Sequence, residues 1–411
     1  MSQSLLDNPS AMEASLEAAV IAKPNMSDAQ RAAFERYARL GMPSRRVEGW
    51  KWSDFNAAVR KVKPANDDRY NATIAPSPFA AMDPIEFHIV DGRISIPECG
   101  TIDGLEFGFI PPSATDPRFD GHGIAALNVA MTGKALGFAS LSEANVERPL
   151  LIRHINTGAA PIFSQILARA ETGSRLTVIE TFEGCAPYHS SLFHLSVRDG
   201  AHFDRYVFQD AGPDTITHGF FGAMVGENAR FRQTSLSTGG RLCRHETHLL
   251  YPSAGASSEI SSAALVAKER HTDFTSNISH QGEGCQTRQL HKGVAKDRGR
   301  NVFQGKFHVE RSAQQTDAKM TANALLLSDG AEANHKPELE IYADDVECAH
   351  GSTAGALDDD ALFYLRQRGL SGQEARALLI EAFVGEVIEK TNNDGVRDVF
   401  NARVSEWLSA Q

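Results

Sequence analysis

The alternation of hydrophobic and polar residues marks a long β-rich segment in the middle of the chain. From about residue 148 to about residue 350, short strand-like runs recur between Gly, Asn and Asp turns. Successive runs start about 10–14 residues apart with no helical pattern between them, which excludes βαβ units. This spacing suits either a β-sandwich or a solenoid of stacked strands, and the pattern alone favours neither. The clearest predicted strands are residues 175–181, 191–197, 202–208, 229–236, 259–265 and 273–279.

Both ends of the chain carry patterns typical of helices. Near the amino terminus, Ser27 is placed to cap a helix that presents Phe34 and Tyr37 on one face. Towards the carboxyl terminus, the aspartates at 358–360 predict a helix start, and Ser371 opens an S-x-x-E capping box for the next helix. The hydrophobic stripe predicted for that next helix comprises Ala375, Leu378, Leu379, Ala382, Phe383 and Val387.

These patterns divide the 411-residue chain into three predicted regions. Residues 1–147 form a helical and mixed amino-terminal region, residues 148–355 form the β-rich core, and residues 356–411 form a carboxyl-terminal helical domain. A chain of this length and ordinary globular composition has ample material for a hydrophobic core.

Charge and composition exclude several classes of function. A net charge of −11 argues against nucleic-acid binding, which needs a basic surface. No hydrophobic run approaches the roughly 18 residues that span a bilayer, and the acidic amino terminus lacks a signal or transit pattern. We therefore expect a cytoplasmic protein that binds neither nucleic acid nor membrane.

The cysteines and glycines exclude further classes. The five cysteines are scattered and contain no C-x-x-C pair, so neither a disulfide framework nor a permanent Fe–S or zinc site is predicted. No G-x-x-x-x-G-K-[ST] loop and no G-x-G-x-x-G motif that opens a helix occurs, so the chain is not predicted to hydrolyse nucleotides. The cysteines are Cys99, Cys185, Cys243, Cys285 and Cys348.

The segment His245-Glu246-Thr247-His248 resembles a zinc-protease motif only superficially. The motif H-E-x-x-H requires histidines at i and i+4 on a helix, whereas these histidines lie at i and i+3 in a β-rich context. On a strand the two histidines would face opposite sides. We interpret the four residues as ordinary polar positions.

Cys348 and His350 are the candidate metal-binding residues. On a strand, side chains at i and i+2 share a face about 6–7 Å apart, and thiolate and imidazole are both competent ligands for iron. The alternative is structural: a small buried thiol beside a hydrogen-bonded histidine. Two protein ligands make an incomplete iron site, so the functional interpretation requires a partner that supplies the rest.

Four segments occur in the order expected for one known family. They are residues 43–54 (PSRRVEGWKWSD), 301–307 (NVFQGKF), 313–318 (AQQTDA) and 325–369, which contains the C-A-H-G sequence at 348–351. On these segments the chain resembles the SufB/SufD family of SUF iron–sulfur cluster assembly proteins. B-type members carry a cluster-assembly cysteine in the loop that corresponds to residues 329–335, and no cysteine occurs there. The resemblance is therefore to the SufD branch.

The resemblance implies a mainly β fold, a right-handed parallel β-helix core flanked by amino-terminal and carboxyl-terminal α-helical regions. It also implies a non-catalytic scaffold that pairs with a SufB-type scaffold and a SufC-type ABC ATPase and supports iron acquisition and nascent cluster assembly. The family's C-x-H-G histidine, His350 here, faces the B-type scaffold, and Cys348 is the adjacent cysteine of that motif. Because an unpaired β-helix edge invites pairing, a homodimer is expected for the isolated protein.

The resemblance also bears on the ATPase contact and on cofactors. The family's carboxyl-terminal helical region receives the ATPase, and we predict its contact residues here. No stably bound cofactor is expected, iron or a nascent cluster being held only transiently together with SufB. Some complexes of the family are associated with reduced flavin, but no motif here gives a flavin site. The predicted partner-binding residues are Phe363, Tyr364, Arg368, Leu379 and Phe383.

Two other functions fit parts of the sequence. Parallel β-helices also occur in polysaccharide lyases and hydrolases, although no repeat of groove-facing acids is visible here. The second is a SufB-type scaffold that holds a cluster by itself.

Overall fold

The computed structural model describes residues 6, 8–23, 25–62, 74–97, 100–113, 121–158 and 160–410. Within these residues, the middle of the chain forms a parallel β-solenoid whose strands alternate between two ten-stranded sheets. The prediction of a mainly β fold built on a parallel β-helix with helical flanks is confirmed. Since the strands of a β-sandwich are antiparallel, the parallel pairing rules that alternative out. Cys99 lies outside the described residues.

The first sheet contains most of the even-numbered strands. In spatial order they are β2 (Arg93–Ser95), β1 (Ile85–Val90), β6 (Leu150–Thr157), β8 (Arg175–Cys185), β10 (His202–Gln209), β12 (Arg230–Ser237), β14 (Ser257–Val266), β16 (Gln286–Ala295), β18 (Thr316–Leu326) and β20 (Val346–Gly355). All six strands predicted from alternation lie within or overlap observed strands of the two sheets.

The second sheet contains most of the odd-numbered strands. In spatial order they are β3 (Gly100–Ile102), β4 (Leu105–Ile110), β5 (Ala135–Ser140), β7 (Ile162–Ala170), β9 (Tyr188–Val197), β11 (Ile216–Val225), β13 (Leu242–Tyr251), β15 (His271–His280), β17 (Arg300–Val309) and β19 (Glu332–Ile341).

The two ends of the solenoid differ. At the first end, β2 pairs antiparallel with β1, and β3 and β4 pair antiparallel ahead of β5. These short antiparallel strands cover the first coil. At the last end, β19 and β20 each pair with a single strand among the described residues, β17 and β18 respectively. One edge of each final strand is therefore unpaired.

The solenoid interior is a hydrophobic core in which aromatic rings stack from coil to coil. The rings of Phe221 and Phe231 stack with centroids 5.3 Å apart, and Phe203 stacks on Phe231 at 6.3 Å. In-register parallel pairing, such as Phe203 with Phe231, is what brings like side chains into contact between coils.

The amino-terminal helices cover the outer face of the second sheet. They are α1 (Ala11–Ala22), α2 (Asp28–Leu40), the short α3 (Phe55–Arg60) and α4 (Gly123–Met131). The predicted Ser27 cap is present, and its hydroxyl accepts from the Gln30 amide in a capping box. The helices share a hydrophobic cluster with Tyr188, Ile216 and Phe220 of the sheet.

The carboxyl-terminal helices cover the outer face of the first sheet. They are α5 (Asp359–Gln367), α6 (Gly372–Ile388) and α7 (Asp394–Ser409), and Asp358 and Ser371 cap the first two as predicted. The stripe predicted for α6 is wrong in part. Ala375 and Val387 are buried, but Leu378 is 46% exposed, and the buried face is completed by Ile380, Val384 and Ile388.

The division of the chain at residues 147/148 and 355/356 stays a prediction. The first sheet begins earlier than residue 148, because β1 pairs with β6 through Ile85 and Leu150. Among the described residues, no helix is long and apolar enough to span a membrane.

We expect Phe231→Ala to lower the free energy of unfolding by about 3–5 kcal/mol, because the ring is fully buried in the interior stack. Phe363→Ala is the matched control. Its ring is 65% exposed on α5, so its loss should change stability by less than about 0.5 kcal/mol. Urea denaturation measures both variants. Equal losses would contradict the assignment of Phe231 to the core.

Candidate functional site

Cys348 and His350 lie on β20, the last strand of the first sheet. They pair with Ala318 and Met320 of β18, whose side chains are buried in the solenoid interior. Because parallel pairing keeps register, Cys348 and His350 occupy inward-facing positions of the final coil. No further coil follows among the described residues, so from Ala349 onwards the strand is exposed.

The two candidate ligands differ in environment. Cys348 is half-buried and packs against Val309, Ala313 and Ala343, and this burial raises the pKa of its thiol. The nearby carboxylate of Asp317 acts in the same direction. The thiol therefore stays protonated at neutral pH, which suits a packing role. His350 is exposed.

Cys348 and His350 do not form a complete ligand set. Among the described residues, no third His, Cys, Asp or Glu places a ligand atom close enough to both of them to form a metal-binding group. A hydrogen bond of 2.9 Å between His335 Nδ1 and Ser352 Oγ joins β19 to β20 beside them. Burial lowers the pKa of His335 to about 4, so this imidazole is neutral. The described residues at the last end of the solenoid thus include potential metal ligands but do not form a complete metal-binding site.

The predicted ATPase-binding residues divide into two groups. Phe363 and Tyr364 are 65% and 56% exposed on α5, and the Arg368 guanidinium donates to the Tyr364 hydroxyl at 2.8 Å. Leu379 and Phe383 on α6 are half-buried.

Phe383 belongs to the contact between α6 and the solenoid. Its ring packs against the hydrophobic cluster of the carboxyl-terminal layer, and Lys292 Nζ of β16 lies 4.6 Å from its centroid. Lys292 also forms a 2.8 Å ion pair with Glu386. Phe363, Tyr364 and Arg368 therefore form the accessible part of the predicted surface.

The amino-terminal segment at residues 43–54 is held against the solenoid by buried polar contacts. The Trp50 ring lies under the guanidinium of Arg244, 3.8 Å from its centroid to Cζ. Ser53 Oγ lies 2.9 Å from His271 Nε2 and donates to the Asp273 carboxylate, which also accepts from Arg244. Ser53, His271 and Asp273 do not form a catalytic triad, because the serine rather than the histidine is the central group.

The segment at residues 245–248 is not a set of ordinary polar positions, and that interpretation is wrong. His245 and His248 do face opposite sides of β13, as expected. Glu246, however, is buried, and its Oε1 accepts from Arg244 Nε at 3.1 Å and lies 2.9 Å from His218 Nε2. Its Oε2 lies 3.4 Å from His248 Nε2. Burial opposes ionisation of Glu246, but these cationic and hydrogen-bonding neighbours together hold its pKa well below the usual range.

A second polar network fills part of the solenoid interior. Glu180 is fully buried between His154, whose Nε2 lies 2.9 Å away, and the Arg205 guanidinium, which continues at 2.8 Å to Gln233. Burial disfavours the charge on Glu180, but Arg205 and His154 outweigh it and lower the pKa to about 2. Sequence analysis missed this network because its members lie on different coils and share no motif.

Comparison with known proteins places these features in one family. A family model described as "SUF system FeS cluster assembly, SufBD core domain" matches residues 153–383, from β6 to α6. The chain belongs to the SufBD family. This assignment supports a role in SUF iron–sulfur cluster assembly.

Individual SufBD relatives extend the similarity to nearly the whole chain. The chain is 30% identical to the iron–sulfur cluster assembly protein SufD of Escherichia coli (strain K12) over 400 residues, which covers 91% of each protein. It is 24% identical to SufD of Bacillus subtilis (strain 168), covering 68% of this chain and 65% of that protein. It is 39% identical to protein ABCI7, chloroplastic, of Arabidopsis thaliana over 41% of this chain and 36% of that protein. The resemblance to SufD drawn from the four segments is confirmed.

The SufBD assignment leaves the individual residue roles as predictions. The roles of His350 and Cys348 in metal binding, and of the five carboxyl-terminal residues in partner binding, are argued below as proposals.

We expect site-resolved alkylation of Cys348 by iodoacetamide to have its pH midpoint above that of the same cysteine in the urea-unfolded chain. The reason is that burial raises the pKa of this thiol, so the reactive thiolate forms only at higher pH. Mass spectrometry of the Cys348 peptide against pH measures both midpoints. A folded-state midpoint below the unfolded one would instead identify Cys348 as an activated thiolate.

Proposed function

We propose that this chain is a non-catalytic scaffold subunit of the SUF machinery that pairs with a SufB-type scaffold through the last end of its solenoid. The observation that carries the proposal is the pair of unpaired edges of β19 and β20, with His350 exposed on β20. A row of free backbone donors and acceptors is a template for strand addition. A related solenoid placed end to end would continue both sheets.

Iron or a nascent cluster is the transient cargo of this interface. His350 supplies one imidazole from the open end, and Cys348 supports the strand from its half-buried position. The absence of a third ligand among the described residues around this pair supports a site that is completed by the partner. A site of this kind releases its cargo when the two subunits separate, which suits assembly rather than storage.

The SufC-type ABC ATPase is proposed to bind the exposed surface of α5 around Phe363, Tyr364 and Arg368. Exposed aromatic residues beside an arginine are typical anchors of protein interfaces. The contact of α6 with β16 through Lys292 and Glu386 gives ATPase movement a rigid connection to the solenoid. Movement of the ATPase would thereby change the SufB–SufD interface.

The same unpaired edges predict how the chain behaves without a SufB-type partner. Without a SufB-type partner, two copies are expected to pair through β19 and β20, which gives a homodimer.

No observation in the described part of the chain favours a polysaccharide-active enzyme. The missing cysteine in residues 329–335 disfavours a B-type scaffold that holds a cluster alone. Location in the cytoplasm stays a prediction.

We expect His350→Ala to leave the complex with SufB-type and SufC-type partners intact and to reduce cluster formation by that complex several-fold. Co-expression followed by size-exclusion chromatography with light scattering measures assembly. Anaerobic reconstitution with iron and sulfide, followed by visible absorbance, measures cluster formation.

His202→Ala is the matched control for His350. It removes a partly exposed histidine from β10, in the middle of the same sheet, and should change neither assembly nor cluster formation. Loss of assembly in His350→Ala would make His350 a structural residue. Failure of the unmodified chain to join the partners would contradict the scaffold proposal itself.

We expect the double substitution Phe363→Ala and Tyr364→Ala to weaken ATPase binding at least about tenfold, because two exposed aromatic anchors are removed. Pairing with the SufB-type subunit should be unchanged. Phe109→Ala is the control, since Phe109 is also an exposed phenylalanine, 43% accessible, but lies on β4 at the first end. Titration of the labelled ATPase against the unmodified chain, the double variant and the control measures the three affinities. Equal affinities would place the ATPase contact outside Phe363 and Tyr364.

A further inference from the structure

A second group of potential metal ligands lies far from β20 in sequence, at the cleft between the amino-terminal segment and the second sheet. His122 immediately precedes α4, and Glu246 and His248 share the outer face of β13. One ligand atom from each of the three lies within 4.8 Å of the other two. Among the described residues, this is the single group of three or more such side chains with that property.

We propose that His122, Glu246 and His248 bind a divalent first-row transition metal ion. Two imidazoles and one carboxylate suit zinc, iron and cobalt, whereas magnesium and calcium prefer an all-oxygen set. The three side chains line a cleft of about 450 Å³ that is open to solvent. A bound ion therefore has both an entry path and room for water in its remaining positions.

The carboxylate of Glu246 is oriented for this role. Oε1 is held by Arg244 and His218, while Oε2 points to His248 at 3.4 Å. One oxygen is thus fixed by outer partners, and the other faces the imidazole of His248. Outer hydrogen bonds of this kind orient the ligands of metal sites.

The two imidazoles are positioned by one aromatic ring. Phe220 stacks on His248 with centroids 4.4 Å apart and meets His122 edge-on at 5.0 Å. Ligand atoms bound to one zinc-sized ion are roughly 3.0–3.5 Å apart. Glu246 and His248 already satisfy that spacing, with 3.4 Å between Oε2 and Nε2, and the half-buried His122 brings its ligand atom within 4.8 Å of theirs.

The charges around the cleft tolerate an added cation. The Arg244 guanidinium, the nearest positive group, is paired with Asp273 as well as with Glu246. Elsewhere in the lining of the cleft, Lys336 pairs with Glu48 and Glu338, and Lys306 pairs with Glu340. Carboxylates therefore outnumber the basic side chains with which they pair.

This proposal does not depend on the SufB interface. The ligands come from β13 and from the residue before α4, whereas His350 lies on β20, and all three ligands of the proposed site belong to one chain. The metal would hold α4 and the amino-terminal layer against the solenoid whether or not a partner is bound.

Titration of the chelator-treated full-length protein with Co²⁺ tests the proposal. We expect about one equivalent to bind with visible d–d absorption and without a thiolate charge-transfer band, because the ligands are nitrogen and oxygen. His122→Gln and His248→Gln should each weaken binding by about 100-fold or more, since loss of even an outer partner costs about 10–100-fold. Circular dichroism checks that each variant folds.

Two control variants separate this site from other histidines. His88→Gln removes a half-buried histidine that pairs with Glu86 at 2.8 Å with i, i+2 spacing, like His248 and Glu246, but without a third ligand among the described residues. His202→Ala removes a partly exposed histidine of β10. Both variants should bind Co²⁺ as the unmodified chain does. No Co²⁺ binding, or binding that is lost in a control variant or in His350→Ala but not in His122→Gln, would overturn the proposal.

Anomalous diffraction from a cobalt-soaked crystal keeps the test decisive if a ligand variant does not fold. The expected peak lies between His122, Glu246 and His248. A peak elsewhere, or none, would overturn the proposal.

Discussion

In-register parallel stacking is the constraint on which the rest of this molecule depends. Each coil of the solenoid satisfies the backbone donors and acceptors of the coil before it, so the ends of the stack must be closed by something else. At the first end the chain closes the stack itself, with short antiparallel strands such as β2 against β1. At the last end, one edge of β19 and one edge of β20 are unpaired within the described residues. The position of His350 is a direct consequence, because it would be an interior residue if another coil followed.

The two helical layers do not cover the last end of the solenoid, because each layer packs on the outer face of one sheet. The amino-terminal helices pack on the second sheet and the carboxyl-terminal helices on the first. Buried polar contacts fix the amino-terminal layer in place: Trp50 under Arg244, and Ser53 between His271 and Asp273. Arg244, Asp273 and Glu246 pair with one another on the sheet, so the charges that Trp50 and Ser53 contact are already balanced. A partner subunit can therefore contact the last end of the solenoid while both helical layers stay packed on their sheets.

The sequence predicted the strands well and the long-range arrangement poorly, for physical reasons. Alternation in residues 201–208 determines which side chains share a face, and it is the same in a sandwich and in a solenoid, so the family resemblance had to decide. The stripe on α6 was misplaced because the helix is hydrophobic nearly all round, with Leu378 exposed and Ile380 buried. Strand periodicity places Arg244, Glu246 and His248 on one face of β13, but His218 and His122 meet Glu246 only through tertiary packing.

The two proposed metal sites differ in what completes them. Cys348 and His350 lie on the last strand of the first sheet, and the further ligands of that site are proposed to come from a partner. His122, Glu246 and His248 lie where three elements of one chain converge, and outer hydrogen bonds already orient the carboxylate. As proposed, the ion held by His350 at the open edge is released when the partner leaves, whereas the triad within one chain retains its ion. A transient and a resident metal site are therefore compatible in one chain, because the first depends on a partner and the second does not.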